Sequence, residues 1–174
     1  IRRRQAIQLT YQPFHFDAPM GVIASPHLLK EYNKRWFLFA FNHEEKKIST
    51  YALDRLQAVQ PSLQPYRRSP YFQPDTYFND IVGVSIPEGG TVEEVRFAVY
   101  GDQARYVVTK PLHHSQRTVA EEAVRTVFSL RLIPNYELET LLLGFGERAE
   151  VLAPEWLREK IRERVEGMNS HGRS

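Results

Sequence analysis

The chain has no cysteine among its 174 residues. That excludes a disulfide framework and any thiolate-held metal, and it fits a reducing, cytoplasmic setting. No apolar run reaches the length of a membrane span and no signal peptide opens the sequence, so no membrane partner is expected. A glycine-rich phosphate loop, a His-Glu-x-x-His pair and any internal repeat are also missing. The first residue is Ile1 rather than methionine, and the chain is expected to be part of something longer.

What is present is a globular composition, 42% hydrophobic and 12% aromatic, with too much apolar surface for long disorder. The formal net charge of +2 conceals a division. Residues 1–80 carry 11 Lys/Arg against 7 Asp/Glu, a balance of +4; residues 81–174 carry 12 against 14, or −2. Such a split points to an anionic partner for the first half. The competing reading assigns most of the excess to Arg2, Arg3 and Arg4 as the end of a linker.

Ile7, Leu9 and Tyr11 alternate with Gln8 and Thr10, the period of a half-buried strand. Further short strands are predicted over Met20–Ala24, Leu28–Tyr32, Arg35–Phe41 and Ile48–Leu53, with a tight turn at Asn33-Lys34 and a longer polar one at 42–47. Five short strands joined by tight turns predict a small β-barrel over residues 1–60. Residues 61–81 contain four prolines and no periodic run, so they read as a linker. Their aromatics (Tyr66, Tyr71, Phe72, Tyr77, Phe78) are too many for a solvated tether, and a collar packed on a domain is expected.

Residues 82–168 change character. Val95, Phe97 and Val99 mark one strand and Phe128, Leu130 and Leu132 another. Asp102 is placed to cap a short helix ended by Pro111, with Ala104, Val107 and Val108 on one face. Asn135 caps a better one, with Leu138, Leu141, Leu142 and Phe145 at helical spacing. Val151-Leu152 is a brief strand, and Pro154 opens a last helix with Leu157, Ile161 and Val165 inward. The stretch VAEEAVRTVF has local helical character but is read as a strand pair. The order β-α-β-β-α-β plus a helix predicts a ferredoxin-like sandwich, and 169–174 a flexible tail. The fold class is thus mixed β and α+β.

The segment NKRWFLFAFNHEEKKISTYALDRL, residues 33–56, carries the candidate chemistry. Arg35 stands before its first tryptophan and Arg55 at its end. Guanidinium forks match phosphate, and a ring such as Trp36 or Tyr51 can stack on a base. The alternative pairs these arginines with Asp54 or Glu31 at a barrel end. Trp36 is expected mainly in the core, since Leu38 and Ala40 share its face. His27 and Lys30 are placed at the edge of the same groove. His113-His114 invites a metal reading, but adjacent histidines on an extended chain point opposite ways, and no third ligand has a usual spacing. Glu137, Glu139 and Glu147 fit the first turn and the end of an exposed helix. No catalytic constellation, metal set or cofactor site emerges, so an enzyme is not expected.

These residues resemble the WYL domain, whose Trp-Tyr-Leu triplet appears here as Trp36-Phe37-Leu38. A proline after the first strands, a basic residue before the triplet and an Arg-Ile pair after a second strand correspond to Pro26, Arg35 and Arg55-Leu56. LIPNYELETLLLGFGERAEVLAPEWLREKI is similar to the extension domain that commonly follows. The resemblance implies an Sm/SH3-like five-stranded barrel that senses a nucleic-acid strand or nucleotide-like anion, in a bacterial transcription regulator. DNA would be read by a helix-turn-helix domain missing from this chain, and the extension domain would support a homodimer. Many members carry an arginine shortly before the Asp-Arg pair, where this chain has Ala52. Two other readings stand beside this one: a dimerisation module without a ligand, and a nucleotide-processing enzyme.

Overall fold

The computed structural model describes residues 1–171, with side chains through Ser170. The chain divides into two compact units, 1–77 and 78–174, so the boundary falls inside the expected collar.

The first unit is a five-stranded antiparallel sheet: β1 (Ile7–Tyr11), β2 (Met20–Tyr32), β3 (Arg35–Asn42), β4 (Lys47–Ala52) and β5 (Leu56–Pro61), in the order β4-β3-β2-β1-β5. It is an open sheet edged by β4 and β5, not the closed barrel expected, since no β4–β5 pairing occurs among the described residues. Five strands were predicted, but two departures offset each other. Met20–Ala24 and Leu28–Tyr32 form one strand, because a bulge between Pro26 and Leu28 absorbs the proline without ending the ladder. Leu56–Pro61 is an additional strand, paired on one side only with β1, where a terminal proline is tolerated. Asn33 and Lys34 both have positive φ, 48° and 61°, the requirement of the tight turn whose twist matches a hairpin. At the next turn the Asn42 side chain accepts from the amides of Glu44 and Glu45.

Both faces of this sheet are covered. One carries Leu9, Tyr11, Val22, Ala24, Leu38, Ala40 and Tyr51. The other carries Phe39, fully buried, which stacks on Phe72 and meets Tyr77 edge-on. Phe72 and Tyr77 of the collar thus pack into the first unit's core. Three bonds pin the collar to residues 25–27: Tyr66 Oη donates to the Pro26 carbonyl (2.9 Å), Arg67 N–H to Ser25 Oγ (2.9 Å), and Ser69 N–H to His27 Nε2 (3.1 Å); His27 is itself oriented by a bond from Nδ1 to the Ser25 carbonyl (2.7 Å).

The second unit holds a four-stranded antiparallel sheet, β7-β8-β6-β9, built from β6 (Glu93–Tyr100), β7 (Arg117–Glu121), β8 (Arg125–Leu132) and β9 (Ala149–Ala153). Helices α1 (Gln103–Thr109), α2 (Tyr136–Leu143) and α3 (Glu155–His171) complete it. Of the tail expected at 169–174, residues 169–171 continue α3 and 172–174 lie outside the described residues. VAEEAVRTVF forms parts of β7 and β8, as sheet pairing overrides its local preference. The alternating residues of β6 and β8 close on Leu138, Leu142, Val151 and Leu157, with Phe97 stacked on Phe128 at 5.4 Å.

Three local readings change. Asp102 makes no side-chain cap bond, and Val108 is exposed. Asn135 does cap α2, accepting from Leu138 N–H at 2.9 Å, and its amide also donates to the carbonyls of Val82 and Ser85. Glu137 and Glu139, expected on an exposed face, are buried at 8% and 3% exposure. Glu137 Oε1 accepts from Val84 N–H, Ser85 N–H and Ser85 Oγ, so it serves amides of the 82–85 segment that have few other acceptors. Glu139 binds Lys160 (2.6 Å) and Arg164 (2.8 Å), tying α2 to α3.

Candidate anion-binding site on the first unit

A single 3-10 turn, Leu53–Arg55, links β4 to β5 and organises the two arginines. The Arg55 carbonyl accepts from Gln12 N–H at 3.1 Å, which ties the turn to the end of β1. Asp54 Oδ2 accepts from Arg35 Nη2 at 2.6 Å, which ties it to the start of β3. The structure therefore realises the Arg35–Asp54 pairing left open by the sequence. Arg55 is different. Its guanidinium carbon lies 3.2 Å from the centre of the Phe14 ring, and among the described residues its side chain makes no hydrogen bond or ion pair. The Nε of both arginines is buried without a partner.

Strand register separates the remaining candidates. Directly opposed residues in an antiparallel ladder share a face, and successive residues alternate. Lys30 opposes Phe37, which opposes Ala52; together with Arg35 and Phe39 these form the collar-side face. Burial lowers the pKa of Lys30 below the usual lysine value. Glu31 opposes Trp36, and Leu29 opposes Leu38, which opposes Tyr51, so Trp36 and Tyr51 belong to the opposite face.

Neither aromatic behaves as expected. Trp36 is 49% exposed rather than core, because it sits at the strand end beyond the cover given to Leu38 and Ala40. Tyr51 offers no free ring: it is 5% exposed, edge-on to Tyr11 at 5.2 Å, and its hydroxyl accepts from Asn42 Nδ2. Burial raises its pKa, with lesser opposing help from Ser49 and Asn42. His27 is the bulge residue, and it is engaged with the collar: its ring stacks on Tyr66 and meets Phe72 edge-on.

Phe14 was missed because it lies in a broken segment between Pro13 and His15, with no periodic signal. Tyr66, Arg67 and Arg68 were read as linker, although a ring beside paired arginines is itself a nucleic-acid signal. In the second unit the His113 and His114 rings do not diverge, because the chain turns there. Both Nε2 atoms bond the Asn79 carbonyl, at 2.8 and 2.7 Å. Among the described residues no three His, Asp or Glu side chains group to hold a metal, and no helix is long and apolar enough to cross a membrane.

Comparison with known proteins assigns both units. The WYL domain family matches residues 1–61 and the WCX domain family residues 91–168. No curated protein matches the chain. Among solved structures, it is similar to a CRISPR Cas-related protein at 15% identity and a TM-score of 0.53, covering 99% of this chain and 49% of that one. Proteasome accessory factor B/C of Arthrobacter aurescens is matched at 17% identity and a TM-score of 0.41, over 100% of this chain and 26% of that one. The chain therefore spans about a half and a quarter of the lengths of these two. At 15% identity, the likeness to the CRISPR Cas-related protein is one of fold alone. The chain belongs to the WYL-domain proteins, with a WYL domain followed by a WCX domain.

Proposed function

We propose that the chain is the ligand-sensing and dimerising part of a bacterial WYL-family transcription regulator, and that its first unit binds a nucleic-acid strand or nucleotide-like anion at the Leu53–Arg55 turn. On this reading the first sheet is an opened relative of an Sm/SH3-like barrel. The second unit, with strand order β7-β8-β6-β9, is ferredoxin-like and passes the liganded state to a second copy. DNA is read by a helix-turn-helix domain elsewhere in the protein.

The observation that carries the reading is Arg55. Arg55 is half-buried, its Nε has no hydrogen-bond partner and no acid stands opposite it, so its charge is uncompensated among the described residues. A phosphate supplies acceptors for its terminal N–H groups, and the exposed Phe14 ring stacked on the guanidinium offers an apolar surface to a base. Arg35, already neutralised by Asp54, adds less, and Lys30 lies on its face.

Substituting Arg55→Ala weakens binding of a short single-stranded oligonucleotide by roughly 1–3 kcal/mol, the scale of a lost charge-assisted hydrogen bond. The dependence of affinity on salt becomes shallower, as fewer counterions are released. Unchanged affinity with a large fall in melting temperature would make Arg55 a structural brace and remove the proposal's basis.

A further inference from the structure

We propose that the collar of the first unit carries a second anion site: a hollow that takes a nucleoside monophosphate group, free or at the end of a strand. The inference rests on the reading that this unit recognises nucleotide-like anions, and it assigns that role to a different set of residues.

The hollow has a volume of about 280 Å³ and is lined by Arg4, His27, Tyr66, Arg68, Phe72 and Pro74, with Ile1 at its margin. Its aromatic wall is fixed. His27 is bonded through both ring nitrogens, stacked on Tyr66 at 5.6 Å and edge-on to Phe72 at 5.5 Å. Tyr66 is anchored by its hydroxyl to the Pro26 carbonyl. Rings held in this way present an apolar surface without the entropy cost of ordering it on binding.

The charged groups have no such commitments. Arg4 and Arg68 are exposed, and among the described residues neither makes an ion pair or a side-chain hydrogen bond. Both line the same hollow, and both act on the Tyr66 hydroxyl, opposing the rise that burial causes in its pKa. Arg67 does not line the hollow and acts instead on His43. No acid lines the hollow. The nearest acidic lining residue, Asp75, belongs to a neighbouring hollow of about 470 Å³ that shares Arg68, Phe72 and Pro74.

Two guanidiniums and an aromatic wall lining one hollow match a phosphate attached to a planar ring. The fork geometry pairs with phosphate oxygens two at a time, and a monoester carries roughly −1.5 to −2 charges where a diester carries one. A volume near the lower end of small-molecule pockets, about 300–1,000 Å³, suits one nucleotide rather than two. The collar is thereby more than packing. Phe72, which covers Phe39, would also form part of the wall that senses the end of a strand.

The test measures binding to the 174-residue chain of three probes: a 3′-labelled tetradeoxythymidylate with a 5′-phosphate, the same oligomer with a 5′-hydroxyl, and thymidine 5′-monophosphate as competitor. The chain prefers the phosphorylated oligomer by about tenfold, the scale of charge-assisted contacts to one terminal phosphate. The double variant Arg4→Ala/Arg68→Ala binds both oligomers alike, whereas Arg55→Ala weakens both and keeps their ratio. Displacement by the monophosphate at concentrations near the oligomer's own Kd identifies a free nucleotide as the ligand. Displacement only at hundredfold higher concentration identifies a strand end. A chain that binds both oligomers equally, or a double variant that keeps the preference, overturns the inference while leaving the Arg55 reading intact. A double variant without preference, beside an Arg55→Ala variant of unaltered affinity, upholds the inference and removes the other site. Failure of the unsubstituted chain to bind any probe overturns both.

Discussion

Replacing Phe72 with alanine tests whether the collar is part of the first unit's folded core. Phe72 is 3% exposed and meets three rings: Phe39 at 6.3 Å, His27 at 5.5 Å and Tyr77 at 4.5 Å. Truncating a buried phenylalanine costs about 3–5 kcal/mol, transfer and cavity together. The lower end of that range applies, at about 3 kcal/mol, because the collar lies outside the sheet and can settle into part of the space. Two units can unfold separately, so the probe must report on the first alone. Trp36 lies in unit 1–77 and Trp156 in the other, and a Trp156→Phe background leaves Trp36 as the sole indole. Urea unfolding followed through Trp36 gives the loss directly. A change below about 1 kcal/mol, the range of a surface substitution, would show that the collar is a tether that merely lies on the sheet.

Three further outcomes follow from named contacts. Asn135→Ala removes the α2 cap and the bonds to Val82 and Ser85, costing roughly 2–4 kcal/mol in urea unfolding of the second unit. Asp54→Asn releases Arg35; a unit charge about 5 Å from a bound phosphate contributes about 0.8 kcal/mol in a water-like medium, so oligonucleotide affinity measured by anisotropy rises about fourfold. Burial, and secondarily His114, hold the His113 pKa below the usual histidine value of 6.5. The unfolded chain then takes up the proton first, so stability is complete above pH 6.5 and declines as pH falls from there toward the folded-state pKa. Melting curves across pH 5–8 show this slope, and His113→Gln reduces it; His43, shifted the same way by burial and Arg67, retains a share.

The elements read most directly from residue pattern are those that bury one face. Val95, Phe97 and Val99 recur at every second position and are fully buried, as are Phe128, Leu130 and Leu132, which alternate with Ser129 and Arg131. β5 left no such trace, because Gln57, Ala58, Val59 and Gln60 are all exposed and, apart from Leu56 against the core, the strand is held by backbone pairing with β1. Pro26 reads as a break when local rules are applied, yet the bulge beside it keeps the ladder intact. Glu137 and Glu139 look solvated from their type, and their burial follows from partners at Val84, Ser85, Lys160 and Arg164, which no local spacing reveals.

The candidate site shows the same limit. Charge singled out Arg35 and Arg55, but which of them is neutralised depends on a turn that brings Asp54 to one and Phe14 to the other. Trp36 and Tyr51 lie in one stretch with the arginines, but strand register sends them to the far face from Arg35 and Lys30. Parity along β3 alone would have separated Trp36 from Arg35, since neighbours on a strand point to opposite sides.

The most direct measurement of the central claim is the affinity of the 174-residue chain for a short single-stranded oligonucleotide at 50 and 200 mM salt, beside the Arg55→Ala variant. Binding that weakens steeply with salt, and a variant that is both weaker and less salt-dependent, are the predicted results, with a slope loss of about 0.7 for each phosphate contact removed. Equal binding of the two proteins at both salt concentrations would contradict the claim that Arg55 meets an anion.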